Sequence, residues 1–216
     1  TTKKPSFKAV CLYKIVIGAF KSGKSTPSTT KDTYVNIYPK AAKVSFIASG
    51  KKYTQSLGAD VTMGYKAGGY ELSADFTGTD AFTATFKDNG GPSNRNLKIE
   101  KCGEHIIEVW GKFSDGVAGL KNKKVGTLKV TILPTITVTI DGKKKESLSV
   151  AEDGTSHEVT ADLNDGGAGY KLQYYYNGKW RTTPLKTAEM GAYTVKFRVL
   201  NSSNEVVRVM PNEASL

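Results

Sequence analysis

A chain of 216 residues with 38% hydrophobic residues, eleven tyrosines and eight phenylalanines has the apolar content of one large or two small folded domains, which excludes a disordered tail. The longest apolar run, Val10 to Phe20, carries Lys14 and falls short of the ~20 residues that span a bilayer as a helix, and two cysteines exclude both a disulfide scaffold and a four-thiolate zinc site. The formal charge of +11 is uneven: residues 134–216 hold 10 Lys and Arg against 10 Asp and Glu, so all of the excess lies in residues 1–133.

Residues 1–33 form a basic arm with seven lysines and one acid, Asp32. The chain opens at Thr1 rather than Met, which reads as a processed or trimmed start. Such an arm suits an anionic polymer, lipid headgroups or an acidic partner. No arginine precedes Arg95, so the bidentate forks that read bases and phosphates are missing and specific nucleic-acid reading is not expected. Within the arm, residues 7–17 read as a strand, with Val10, Leu12, Ile15 and Ile17 as candidate assembly residues. That strand either adds to the edge of its own chain's first domain or pairs with a neighbouring subunit. Residues 21–31, rich in Gly, Ser and Thr, read as a flexible connector. Gly18 to Ser25 matches the phosphate-loop pattern, but Thr26-Pro27-Ser28-Thr29-Thr30 follows where a phosphate-cradling helix must begin, so the match is read as coincidence.

Beyond the arm the chain repeats itself. Glu71-Leu72-Ser73-Ala74-Asp75-Phe76 returns as Glu158-Val159-Thr160-Ala161-Asp162-Leu163, and Gly50-Lys51-Lys52 as Gly142-Lys143-Lys144. Phe82-x-Ala84-x-Phe86 aligns with Tyr170-x-Leu172-x-Tyr174, and Gly103-x-His105-x-Ile107-x-Val109 with Gly191-x-Tyr193-x-Val195-x-Phe197. Four matches in one order indicate a tandem duplication. Each matched segment alternates with period 2: Ile107, Val109 and Phe113 face a core, as do Leu128, Val130 and Ile132, and Tyr193, Val195, Phe197 and Val199 stand opposite Thr194, Lys196 and Arg198. Turn signals such as Asp88-Asn89-Gly90-Gly91-Pro92, Asp165-Gly166-Gly167 and Asn177-Gly178 separate the strands, and no stretch carries a helical apolar stripe. The expected fold is all-β: two tandem antiparallel β-sandwiches, residues 34–133 and 134–216, behind an N-terminal strand arm. Pro134 leaves a short, stiff junction, which predicts an end-to-end rod.

The run Gly169-Tyr170-Lys171-Leu172-Gln173-Tyr174-Tyr175-Tyr176-Asn177-Gly178-Lys179-Trp180, with Gly191-Ala192-Tyr193-Thr194-Val195 after it, resembles bacterial immunoglobulin-like (Ig-like) domains; the likeness is close over residues 134–212 and looser over 40–133, where His105 stands at the Tyr position. The resemblance implies Ig-like sandwiches and a display role, since such modules occur in cell-surface, wall, pilus-like and phage virion proteins. The expectation is a non-enzymatic structural protein of the cell surface or of an extracellular filament, working by adhesion or assembly with copies of itself or other surface proteins. A virion subunit is the alternative and a carbohydrate-binding module a third reading.

Catalytic and cofactor chemistry is not expected. His105 sits at a packing position and His157 at the start of a strand, with no nucleophile signature near either. Two His and two Cys at no ligand spacing give no transition-metal site. Asp141, Glu152, Asp153, Asp162 and Asp165 are the residues weighed for calcium, without a calcium-loop pattern. Cys11 and Cys102 are a candidate disulfide or two separate thiols. Trp110, Tyr175, Trp180 and Arg181 are candidate surface-contact residues, suited to sugar stacking or to a protein contact, or else covering loop ends and the junction.

Overall fold

A computed structural model describes residues 12–37, 42–76, 82–113, 122–145, 147–149 and 153–211. Every regular element among them is a strand. Strands β1 (Leu12–Ala19) and β2 (Thr29–Asn36) form an antiparallel hairpin that is a sheet by itself, in the register Tyr13 to Val35 and Gly18 to Thr30.

The next eight strands make two sheets. One runs β4 (Lys51–Ser56), β3 (Ala42–Ala48), β6 (Tyr70–Phe76), β8 (Lys98–Ile99). The other runs β5 (Asp60–Gly64), β10 (Lys123–Leu133), β9 (Gly103–Phe113), β7 (Phe82–Asp88). Their facing side chains form one core of buried residues that includes Val44, Phe46, Leu72, Phe86, Ile107, Val109, Leu128, Val130 and Ile132. The alternation in β9 and β10 therefore buries the residues it predicts, from Ile107 to Val109 and from Leu128 to Ile132.

After Pro134 come β11 (Thr135–Ile140), β12 (Lys143–Lys144), β13 (His157–Asn164), β14 (Lys171–Tyr176), β15 (Lys179–Arg181), β16 (Leu185–Thr187), β17 (Lys196–Leu200), β18 (Val206–Val207) and β19 (Met210–Pro211). One sheet is ordered β12-β11-β13-β16, with β19 also on β11, and the other β15-β14-β17-β18. Among the described residues, no sheet mixes strands from the two sides of Pro134. This is a pair of Ig-like β-sandwiches in tandem. One parallel pair joins the antiparallel ladders on each side: β5 lies parallel to β10, and β19 parallel to β11.

The sequence repeat has a local cause in the turns. Gly50 and Gly142 each take the second position of a two-residue hairpin, at φ 76° and 71°, behind Ser49 and Asp141 at φ 49° and 51°. Two successive positive φ values are the mirror-image turn that matches strand twist, and glycine adopts them without strain. Asn177-Gly178 makes the same turn between β14 and β15.

The two sandwiches meet at their ends. Pro134 is the single residue between β10 and β11, and it and Thr135 are buried. The Asp165 carboxylate accepts from the Gly167 and Tyr170 amides (2.9 Å each), its carbonyl accepts from the Cys102 amide (3.0 Å), and Ala168 and Tyr170 pack on the first core. Tyr65 and Glu100 crowd Gly166 so closely that a Cβ there would collide with the Glu100 carbonyl.

Two expected features differ. Residues 29–31 of the presumed connector, with 32–36 after them, are strand, because β1 pairs with them; the hairpin thus runs past residue 33 to Asn36. Residues 191–195 alternate like a strand but join none, and the strand begins only at Lys196. Their counterparts in the first sandwich, at the start of β9, are held by β10 pairing from Gly103 onward, whereas on this side β18 reaches only Val199 and Leu200.

Candidate assembly hairpin and aromatic face

The hairpin presents side chains on both of its faces, and none described between residues 13 and 35 is buried. Tyr13, Ile15, Ile17 and Val35 share one face; Lys14, Val16, Tyr34 and Asp32 share the other. Val16, Ile17 and Phe20 are 57%, 58% and 58% exposed. Lys14 pairs with Asp32 at 2.7 Å, a hydrogen bond that raises the lysine's pKa. The hairpin therefore stands on its own ladder rather than on the edge of the first sandwich. Of the four assembly residues read from the sequence, Leu12, Ile15 and Ile17 lie on β1 and Val10 falls outside the described residues.

The phosphate-loop look-alike is the end of β1 and the hairpin loop. The Ser28 amide and hydroxyl both donate to the Ala19 carbonyl, at 2.7 and 2.9 Å, and the chain enters β2 at Thr29. No helix follows to point backbone amides at a phosphate.

A second feature lies on the outer face of β15-β14-β17. Tyr175 stands across from Trp180 and Lys196, and Gln173 from Arg198. The Tyr175 and Trp180 rings are 5.1 Å apart, the Arg198 guanidinium lies 4.2 Å from the Trp180 ring centre, and Arg198 Nε donates to Gln173 Oε1 (2.8 Å). Lys196 lies 5.9 Å from the Tyr175 ring. Two aromatics and two cations thus share one face, with Trp180 37% exposed. Of the residues picked from the sequence, Tyr175 and Trp180 come together here. Arg181 pairs with Tyr174 and stacks on Tyr176 at 5.2 Å. Trp110 lies in the first sandwich, donating to Glu108 Oε2 (2.8 Å) beneath Lys87. Glu108 also takes Lys124 at 2.5 Å, and the two bonds lower its pKa, Lys124 contributing more. Gln173, Lys196 and Arg198 were missed as contact residues. Alternation already turned Lys196 and Arg198 outward, but only the cross-strand register puts them beside Tyr175 and Trp180.

The histidines hold turns and strand ends. His105 Nδ1 is 2.7 Å from Asp88 Oδ2 and its Nε2 3.1 Å from the Lys101 carbonyl. His157 Nδ1 is 2.8 Å from Asp141 and its Nε2 3.6 Å from Asp153. The bond to Asp141 raises the His157 pKa, while bonds from the Glu158 amide and from His157 lower that of Asp141. Of the residues weighed for calcium, Asp141, Asp153 and Asp165 accept from local donors, Asp162 is exposed on β13 and Glu152 falls outside the described residues. No group of three or more His, Cys, Asp or Glu among the described residues is placed to hold a metal. Cys102 is buried against Asp165 and Tyr170, and burial pushes its thiol up to about 12; Cys11, its candidate disulfide partner, falls outside the described residues. No helix of the described residues is long and apolar enough to cross a membrane.

No family model matches the chain, and no curated protein matches it. Among solved structures, the fibronectin(III)-like modules of Clostridium thermocellum CbhA align over 80% of this chain and 97% of theirs, at 10% identity and a TM-score of 0.26.

Proposed function

We propose that this chain is a non-enzymatic structural subunit that assembles through its N-terminal hairpin, in an extracellular or cell-surface filament. A virion would use the same assembly chemistry. The observation that carries the reading is the hairpin: a two-stranded ribbon, a sheet by itself, with Val16 and Ile17 more than half exposed. An isolated hairpin is marginal in water, so a partner that covers its apolar side chains stabilises both. The lysines around it, Lys14, Lys21, Lys24 and Lys31, favour an acidic partner surface or an anionic polymer.

The test is the solution mass of the intact chain against the Val16→Glu/Ile17→Glu variant, which alters exposed positions only. Assembly of the first and a monomeric second are expected; monomers in both refute the reading. A second reading, carbohydrate binding, is favoured by the Trp180, Tyr175 and Arg198 face, whose cations select acidic sugars. Quenching of Trp180 fluorescence on titration with an acidic polysaccharide, lost in Arg198→Ala, is its signature.

A further inference from the structure

We infer that the hairpin of one copy docks into an open cavity at the far end of the second sandwich of another copy, a head-to-tail contact; this rests on the assembly reading above. The cavity, of about 630 Å³, lies between the two sheets of that sandwich. Val138, Ile140, Val159, Leu185, Val195 and Phe197 line it, the residues that should form the core there. Several are only half-buried, whereas Ile107 and Val109, the counterparts of Val195 and Phe197, are fully buried. One wall is residues 189–195, which belong to no strand, and Met190 at the mouth is 78% exposed. An unpaired segment beside an apolar groove accepts an added strand: its backbone offers ladder bonds and the groove takes alternate side chains.

Three observations point to the hairpin as the occupant. It supplies what the groove lacks, a strand with apolar side chains at alternate positions, Tyr13, Ile15 and Ile17. Charge agrees: Asp153 and Glu189 line the cavity with no lysine or arginine among its lining residues, while residues 12–36 carry four lysines against Asp32. Position selects another copy. The hairpin roots at Ala42, which pairs with Phe76 at the end of the first sandwich away from the junction. The cavity is lined by Ile140 and His157, whereas Thr135 and Asn164 mark the junction end of those same strands. Between those ends lie the eleven residues of β10 and six of β11, about 56 Å of strand at about 3.3 Å per residue. Ile17, opposite Lys31, can stand at most about 40 Å of stretched chain from Ala42. At full extension that path exceeds the hairpin's reach, which favours another copy's cavity over the chain's own; crosslinks from position 17 within one copy would show the reverse. A contact between opposite ends of identical chains is head-to-tail, and it propagates as a filament unless its rotation closes a ring.

The full-length chain with a photo-crosslinking amino acid at position 17 tests this, together with sedimentation of the unlabelled chain and of Met190→Glu over about 1 to 100 μM. Crosslinks between copies that land on residues 185–197, and association weakened about tenfold or more in Met190→Glu at an unchanged unfolding midpoint, are the expected results. Assembly that Val16→Glu/Ile17→Glu abolishes, with crosslinks elsewhere and Met190→Glu without effect, overturns the cavity as the docking site and leaves the assembly reading standing. An intact chain that stays monomeric overturns both, and a foreign protein or a small apolar ligand then becomes the occupant to seek.

Discussion

The duplication supplies an internal control for packing. Ile107 and Val195 occupy the same repeat position, yet Ile107 is fully buried and Val195 half-buried at the cavity wall. Ile107→Ala removes buried methyl and methylene groups from a closed core and leaves a void, which costs about 2–5 kcal/mol. Val195→Ala removes two carbons already half in contact with water, so at about 0.8 kcal/mol per fully buried carbon the loss is about 1 kcal/mol. The tryptophans allow each sandwich to be followed separately, Trp110 lying on β9 in the first and Trp180 on β15 in the second. With Trp180→Phe as background, urea unfolding reports the first sandwich; with Trp110→Phe, the second. At a slope of about 1.5 kcal/mol per molar urea, Ile107→Ala lowers its midpoint by roughly 1.5–3 M and Val195→Ala by less than about 1 M. Equal losses at the two positions would refute the argument that the second core is open.

The junction, the charges and the buried polar groups give further expectations. Gly166→Ala, at φ 66° and against the Glu100 carbonyl, loses about 1–2 kcal/mol from backbone strain alone and more from the clash, with faster hydrogen exchange at the Cys102 amide; Gly167→Ala, at φ 73° with open space around it, isolates the strain. The His157 pKa is raised in the fold, so its contribution is complete at low pH and disappears as pH rises through the raised value. The wild-type unfolding midpoint accordingly falls against that of His157→Gln as pH rises from about 6.5, the ordinary histidine value, through the raised one, and parallel pH profiles would contradict this. Cys102, buried and raised to about 12, resists thiol reagents at pH 8 until the chain unfolds; rapid native-state labelling assigned to it by peptide mapping would contradict its burial. Among the described residues the buried Thr135 hydroxyl has no hydrogen-bond partner, so Thr135→Val is neutral or stabilising in urea unfolding.

Much of the fold was legible because the local rules agreed with one another. Period-2 alternation placed Leu128, Val130 and Ile132 inside, and the paired Gly50 and Gly142 marked equivalent hairpin turns. Reading failed where a strand depends on its neighbour. Thr29–Asn36 has almost no apolar period, and it is strand because β1 lies against it. Tyr193 and Val195 alternate as regularly as any residue here and are not strand, because a ladder needs a second chain and β18 stops at Val206–Val207. The aromatic face was half legible for the same reason. Alternation tells which way Lys196 and Arg198 point, and register alone tells that Trp180 and Tyr175 await them.

The lysines of the arm bear on why an exposed ribbon of this kind discriminates among surfaces. A two-stranded sheet offers unpaired backbone along both outer edges, and any apolar strand edge could pair with it. Charge near such edges is the usual safeguard, since burying an unpaired ammonium against an apolar edge costs several kcal/mol. Of the lysines here, Lys14 is matched by Asp32, while Lys21, Lys24 and Lys31 cluster toward the loop end. The apolar stripe from Tyr13 to Ile17 is therefore open to docking only where the receiving surface puts carboxylates near the hairpin tip. A cavity whose described walls bear Asp153 and Glu189 but no lysine or arginine meets that condition, and a generic hydrophobic edge does not. On this argument the basic arm serves selectivity more than affinity: Glu189→Lys would slow association chiefly at low salt, whereas Ile17→Glu would remove the contact at any ionic strength.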